Sequence, residues 1–418
     1  MLECYFPEPK DQRANQCYHD PFLMNPSSAK PRILGAKKLD SVPLLDLQRQ
    51  YAQIREPILA AIERVCASQQ FVLGKEVEAL EREIAAFTGS ADAVGCASGT
   101  DALWLALAAA GVQPGDAVIT TAFSFFASAS SIVRAGARPV FADVDPRTLN
   151  LDPVSVERHL RSGGPHRARA LVPVHLYGQC AEMDALEALA SLHKLAMVED
   201  AAQAIGGAWR GRKAGSMGVT AAFSFYPTKN LSAYGDAGLA TTCDGERGEH
   251  MRRLRNHGSP RRYLHEEFGW NARMDAIQAA VLRVKFEHIE TWNRQRAAHA
   301  ARYSLLLAEA GLLSTKGTGP IQPLATSSTA EHVFHQYVIR AARRDELRKF
   351  LAELKIGTEV YYPIPLHLQP SFAYLGYREG DFPESERAAR EVLALPMFPE
   401  LTEDEQRWVV GAIAEFYS

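Results

Sequence analysis

Three short segments of this chain carry residue types that could do chemistry together. Ala97-Ser98-Gly99-Thr100-Asp101 follows an apolar run and opens the helical stretch from Ala102, placing a glycine turn and free backbone N–H groups at a helix N-terminus. Such an end attracts phosphate through its unpaired donors and the helix dipole, although the same residues also make an ordinary cap. Ala196-Met197-Val198-Glu199-Asp200 ends an apolar run in two carboxylates, at the edge where open α/β sheets bind ligands. One of the two could pair with a cationic ring; the alternative is a solvated strand end or a helix cap. Phe223 to Asn230 ends an aromatic run in a turn carrying Lys229, followed by Gly235-Asp236-Ala237-Gly238. A lysine in a partly apolar pocket has a lowered pKa and becomes a usable amine nucleophile, whereas on an exposed turn it is a surface charge. Phosphate turn, carboxylate, then serine and lysine, taken in that order, are what a pyridoxal phosphate (PLP) site requires.

The elements that must position these residues are legible in the apolar pattern. Ile54, Ile58, Ile62 and Val65, then Val77, Leu80, Ile84 and Phe87, recur at helical spacing and predict two amphipathic helices. After them, short apolar or β-branched runs (Ala93 to Cys96, Ala117 to Thr121, Pro139 to Val144, Ala168 to His175, Ala196 to Glu199) alternate with helical segments. That alternation predicts βαβ units and a mostly parallel sheet. Ala221 to Tyr226 and Gly238 to Thr242 add two strands. Beyond about Arg294 a long helical pattern leads to a second region, with a run from Val333 to Ala341, a helix from Arg344 to Leu354 and a closing helix from Asp404.

Composition narrows the function classes. The chain has 418 residues, room for a large domain and a smaller one. Its 46 basic and 49 acidic residues leave a net charge of -3, without the basic surplus that nucleic-acid binding needs. No run reaches the roughly 18 apolar residues of a membrane helix, and the N-terminus does not read as a secretion signal. Cys4, Cys17, Cys66, Cys96, Cys180 and Cys243 are too scattered for a C-x-x-C pair and too sparse for a disulfide scaffold, which fits reduced thiols in a cytoplasm. Residues 1–40 are polar and unperiodic, so a disordered leader is expected there rather than a metal site at Cys4, Cys17 and His19.

The chain from Val42 onward resembles the sugar aminotransferases of the DegT/DnrJ/StrS family. The resemblance rests on Val42-Pro43-Leu44-Leu45-Asp46-Leu47, Ala97 to Leu103, Pro173-Val174-His175-Leu176-Tyr177-Gly178-Gln179, Glu199-Asp200-Ala201-Ala202-Gln203, Phe223 to Asn230 and Asn271-Ala272-Arg273-Met274-Asp275. It implies an α/β, fold-type I PLP-dependent aminotransferase: a large, mostly parallel seven-stranded sheet domain over residues 41–293 and a smaller C-terminal α/β domain over 294–418. Carried over by motif, Lys229 is the Schiff-base lysine, and Asp200 holds the pyridine nitrogen protonated. Gln203 hydrogen-bonds the cofactor's phenolic oxygen. Phe125 stacks on one ring face, core packing being the plainer alternative, and Ala202 lies near the other. Gly99, Thr100 and Ser224 hold the phosphate, and Asn271 reaches across from a partner subunit, which implies a homodimer with shared sites. Arg273 suits a carboxylate or a surface salt bridge, and His335, Tyr337 and His367 are candidates for touching substrate. The expected reaction moves an amino group from L-glutamate to a keto sugar, nucleotide-linked and at carbon 3. The alternatives are a sugar dehydratase of the same fold, in which histidine replaces the lysine, and a PLP-binding regulator without turnover.

Overall fold

The computed structural model describes residues 37–162, 168–313 and 319–418. Most of the expected leader, with Cys4, Cys17 and His19, lies outside the described residues. Two helices come first, α1 (Leu47–Ser68) and α2 (Lys75–Thr88). Asp46 starts α1 by accepting from the N–H groups of Gln48 and Arg49 at 3.0 and 3.2 Å. The periodic residues Ile54, Ile58, Val65, Val77, Leu80 and Ile84 are all buried.

Seven strands then form one sheet: β1 (Asp92–Cys96), β2 (Ala117–Thr121), β3 (Arg138–Ala142), β4 (Ala168–Val172), β5 (Ala196–Asp200), β6 (Thr220–Ser224) and β7 (Gly238–Thr242), in the order β1-β7-β6-β5-β4-β2-β3. Every neighbouring pair is parallel except the two that involve β7. Helices α3 (Gly99–Ala109), α4 (Ala127–Arg134), α5 (Pro153–Ser162), α6 (Met183–His193), α7 (Gly245–Leu254) and α8 (Ala276–Phe286) connect or flank the strands. Adjacent strand residues point to opposite faces, so Ala93, Met197 and Phe223 enter the core beneath α1, α2 and α8, whereas Val94, Val198 and Ala222 enter the core of α3 and α7. Burial on both faces is why these strands read as continuous apolar runs. The fourth strand stops at Val172 rather than His175, because Pro173 has no N–H to continue a ladder.

The remainder pairs β8 (Ile321–Pro323), β9 (Tyr337–Ala341) and β10 (Val392–Leu395) in an antiparallel sheet of order β8-β9-β10. It packs with the C-terminal half of α9 (Ile289–Glu309), with α10 (Arg344–Glu353) and with α12 (Glu403–Tyr417), while α11 (Pro383–Glu391) precedes β10. Residues of α9 contribute to both cores: Ile289 and Trp292 to the large one, Ala300 to Leu307 to the small one. One assignment from sequence needs correction. The segment entering α1 was expected with the large domain, but Val42 is buried in the small core and exchanges backbone hydrogen bonds with Lys355 and Gly357. The apolar pattern near Val42 is too short to say which core takes it.

Candidate functional site

β1 leaves the sheet at Cys96 and β6 at Ser224, and β7 holds these ends in one row, its Gly238 facing both. A side chain at Gly238 would put a Cβ 2.2 Å from the Ser98 carbonyl oxygen, and one at Gly99 would put it 2.6 Å from Ser224 Cβ. The Ser98-Gly99 turn therefore lies directly on the strand ends. Ser98 caps α3, accepting from Asp101 N at 3.1 Å and donating to Asp101 Oδ2 at 2.7 Å. The N–H groups of Gly99 and Thr100 have no partner within the helix. With the adjoining Ser224 hydroxyl they form an anion cradle of the kind a phosphate fits.

The two carboxylates at the end of β5 have separate fates. Glu199 is fully buried and saturated: Met217 N and Gly218 N donate to Oε1 at 2.7 Å each, and Gly215 N donates to Oε2 at 2.9 Å. His175 Nδ1 accepts from Ala181 N at 3.2 Å, so its proton sits on Nε2 and is donated to Glu199 Oε2 at 3.0 Å. Although burial acts to raise the Glu199 pKa, the His175 hydrogen bond and the amides hold it below the usual range. Asp200 faces the other way. Its Oδ2 accepts from Ser128 Oγ at 2.7 Å and its Oδ1 from Ala202 N at 3.2 Å. Burial raises its pKa, against the pull of the Ser128 hydrogen bond and of the Lys229 charge.

Lys229 follows β6 in a turn closed by its own N–H to the Tyr226 carbonyl at 2.8 Å. Its amine is pushed down to about 8 by burial, partly offset by Asp200, so a neutral amine is accessible near physiological pH. The next residue, Asn230, is fixed from three sides. Its Nδ2 donates to Asn293 Oδ1 and the Val333 carbonyl at 2.9 and 3.1 Å, and its Oδ1 accepts from His335 Nδ1 at 3.1 Å. His335 is thus a neutral histidine protonated at Nδ1, with burial, Lys229 and Arg296 keeping its pKa well below the usual value.

Gln203 accepts from Tyr177 N at 2.6 Å and donates through Nε2 to the Tyr362 hydroxyl at 3.2 Å. Phe125 is 56% exposed and leans on the Tyr362 ring at 6.1 Å, so it belongs to a wall of the site rather than to the core. Asn271 is exposed and accepts from Arg273 Nε at 3.0 Å; Arg273 Nη1 donates to Asn256 Oδ1 at 3.3 Å. Two candidates have other partners. The Tyr337 hydroxyl meets Ser304 Oγ at 2.9 Å with its ring stacked on Tyr303, and buried His367 pairs with Glu386 at 3.0 Å and packs on Phe382. Among the described residues neither hydrogen-bonds to the Lys229 site, because the fold gives each a buried partner that motif position does not reveal. Sequence reasoning also missed Ser128 and Tyr362. Ser128 follows Phe125 by three residues, close enough to have been noticed; Tyr362 is 133 positions beyond Lys229, so only the fold brings it to Gln203.

A partly buried amine facing a buried carboxylate, beside an anion cradle at the strand ends of an α/β sheet, defines a PLP-dependent group-transfer enzyme. The DegT/DnrJ/EryC1/StrS aminotransferase family model matches residues 52–414. The chain is 52% identical to a pleiotropic regulatory protein of Geobacillus stearothermophilus, covering 90% of this chain and 99% of that one. It is 44% identical to a dTDP-3-amino-3,4,6-trideoxy-alpha-D-glucose transaminase of Streptomyces venezuelae, covering 90% and 96%. The crystal structure of S. venezuelae DesV in complex with ketimine intermediate superimposes with a TM-score of 0.85 at 44% identity, covering 90% and 98%. The chain belongs to the DegT/DnrJ/EryC1/StrS aminotransferase family, with its fold, its PLP and its aminotransferase chemistry.

Proposed function

We propose that this enzyme moves an amino group from L-glutamate to carbon 3 of a nucleotide-linked keto sugar, for amino-sugar synthesis, as a cytoplasmic homodimer. The Lys229 amine facing Asp200 carries the reading of the chemistry. The 3-amino sugar in the name of the S. venezuelae relative supports the carbon position. PLP, when bound, supplies an electron sink for exchanging the amino group. Lys229 would hold it through its amine and, once freed by the donor, would carry a proton to and from the substrate carbon as general base and then acid. Asp200 would keep a ring nitrogen protonated. Gln203 Nε2 would donate to the phenolic oxygen, Phe125 and Ala202 would lie against the ring, and the backbone of Gly99 and Thr100 with Ser224 would hold the phosphate. Asn271 serves the partner's site. Arg273 takes a carboxylate, and His335 offers its unprotonated Nε2 toward substrate.

A regulator without turnover is the second reading, favoured by the name of the Geobacillus relative. The complete lysine, aspartate and glutamine set argues for turnover. An absorbance spectrum with PLP separates the two: a band at roughly 410 to 430 nm should shift to about 330 nm on adding L-glutamate in wild type, but not in Lys229→Ala. A band that no amino donor shifts favours the regulator. Turnover with 3-keto sugars on dTDP and UDP then decides the acceptor.

A further inference from the structure

Behind Asp200 lies a chain of hydroxyls that none of the roles above requires. Ser124 and Ser128 are 4% and 2% exposed, and their Oγ atoms are 2.8 Å apart. Ser128 Oγ donates to Asp200 Oδ2 at 2.7 Å. A hydroxyl has one proton. Ser128 gives its proton to Asp200, so Ser124 must be the donor to Ser128, and the chain runs one way, from Ser124 through Ser128 to the carboxylate. The residues are set by α4: Ser128 sits in its first turn, with its N–H on the Phe125 carbonyl at 3.1 Å, and Ser124 lies four residues earlier.

Three other titratable groups act on Asp200: Lys229 from the loop after β6, His175 from the segment after β4, and Tyr362. Ser128 alone among side chains hydrogen-bonds to the carboxylate among the described residues. A cation at that place would neutralise Asp200 and compete with a ring nitrogen for it. A hydroxyl instead favours the ionised form while leaving its charge intact, and a second hydroxyl behind it strengthens that effect by polarising the first.

We propose that Ser128, backed by Ser124, is a positioning residue that keeps Asp200 an oriented carboxylate for the protonated ring nitrogen of PLP. This rests on the role given to Asp200 above. Without the Ser128 hydroxyl, burial would favour the neutral acid, and the ring nitrogen would hold its proton less firmly. A less positive ring withdraws less charge from the nitrogen that joins it to Lys229, so that nitrogen should keep its own proton to higher pH.

The test is a spectrophotometric pH titration of the visible band of the PLP-loaded protein. Ser128→Ala should raise the midpoint by roughly half to one pH unit, a fraction of the shift one charge-assisted hydrogen bond can cause. Ser124→Ala should move it the same way by less, and Ser128→Thr, which keeps a hydroxyl, should restore it. Thermal melts run alongside, because a packing role would lower the melting temperature and leave the midpoint still. A normal wild-type band with unmoved midpoints in Ser128→Ala and Ser124→Ala overturns the relay alone. If Ser128→Ala does not fold, the Ser124→Ala midpoint decides. A wild type with no titrating band overturns the cofactor reading and the relay together.

Discussion

Lys229 and Asp200 show how neighbours in space divide work that neighbours in sequence cannot. Glu199 and Asp200 are equivalent on paper, both ending an apolar strand, but successive strand residues face opposite ways. Glu199 therefore meets the amides of Gly215, Met217 and Gly218, while Asp200 meets Ser128 and the Lys229 charge. The motif offers the two carboxylates alike; which of them meets Lys229 and which is held by amides depends on the loop that folds beneath each. The lowered Lys229 pKa has a direct consequence. Below about 8 the amine is mostly protonated and cannot attack an aldehyde; above it, the neutral form dominates. The rate at which cofactor-free protein takes up PLP should thus climb roughly tenfold per pH unit below this midpoint and level off above it. Stopped-flow absorbance from about pH 6.5 to about 9.5 measures this; a rate independent of pH would place the amine's pKa elsewhere.

At the scale of elements, the site depends on strand ends and turns being forced into contact. Gly99→Ala would push a Cβ to 2.6 Å from Ser224 Cβ, with backbone behind it. Cradle and strand end would have to part, so PLP affinity should fall by about tenfold, ~1.4 kcal/mol, in a fluorescence titration. Glu199→Ala should act on the fold instead. Removing this carboxylate leaves three amides and His175 without their acceptor, a loss of about 3 kcal/mol or more by denaturant titration. The first two helices were legible because a single buried face imposes a helical period, and the strands because burial on both faces leaves short continuous apolar runs between helical segments. What stayed hidden were places where tertiary contacts decide: Val42 in the small core, and the segment from Val333 to Gln336, which leaves the expected run to bond Gly178, Asn230 and Tyr177 before β9 begins at Tyr337.

At the scale of the whole molecule, three strongly exposed aromatic side chains lie just before Asn271. Phe268 is 98% exposed, Tyr263 84% and Trp270 56%, all in the irregular stretch between α7 and α8. Apolar groups so placed suit burial against another protein surface, and a second copy of this chain is the partner that the proposed sharing of Asn271 requires. Mixed subunits test that geometry. Lys229→Ala and Asn271→Ala should each be inactive or severely impaired as homodimers. If Asn271 completes the neighbour's site, a mixed dimer has one site with both defects and one with its own Lys229 and the other subunit's Asn271. Random reassortment of equal amounts should then restore about a quarter of the wild-type turnover, since half the dimers are mixed and each has one good site. If Asn271 serves its own subunit's site, every site in the mixture carries a defect and no activity returns, however the subunits exchange. Phe268→Ser combined with Trp270→Ser should abolish the rescue while leaving each folded subunit's circular dichroism unchanged, because exposed residues contribute little to the fold of one chain. Rescue that survives this double change would keep the shared site but move the interface away from this loop.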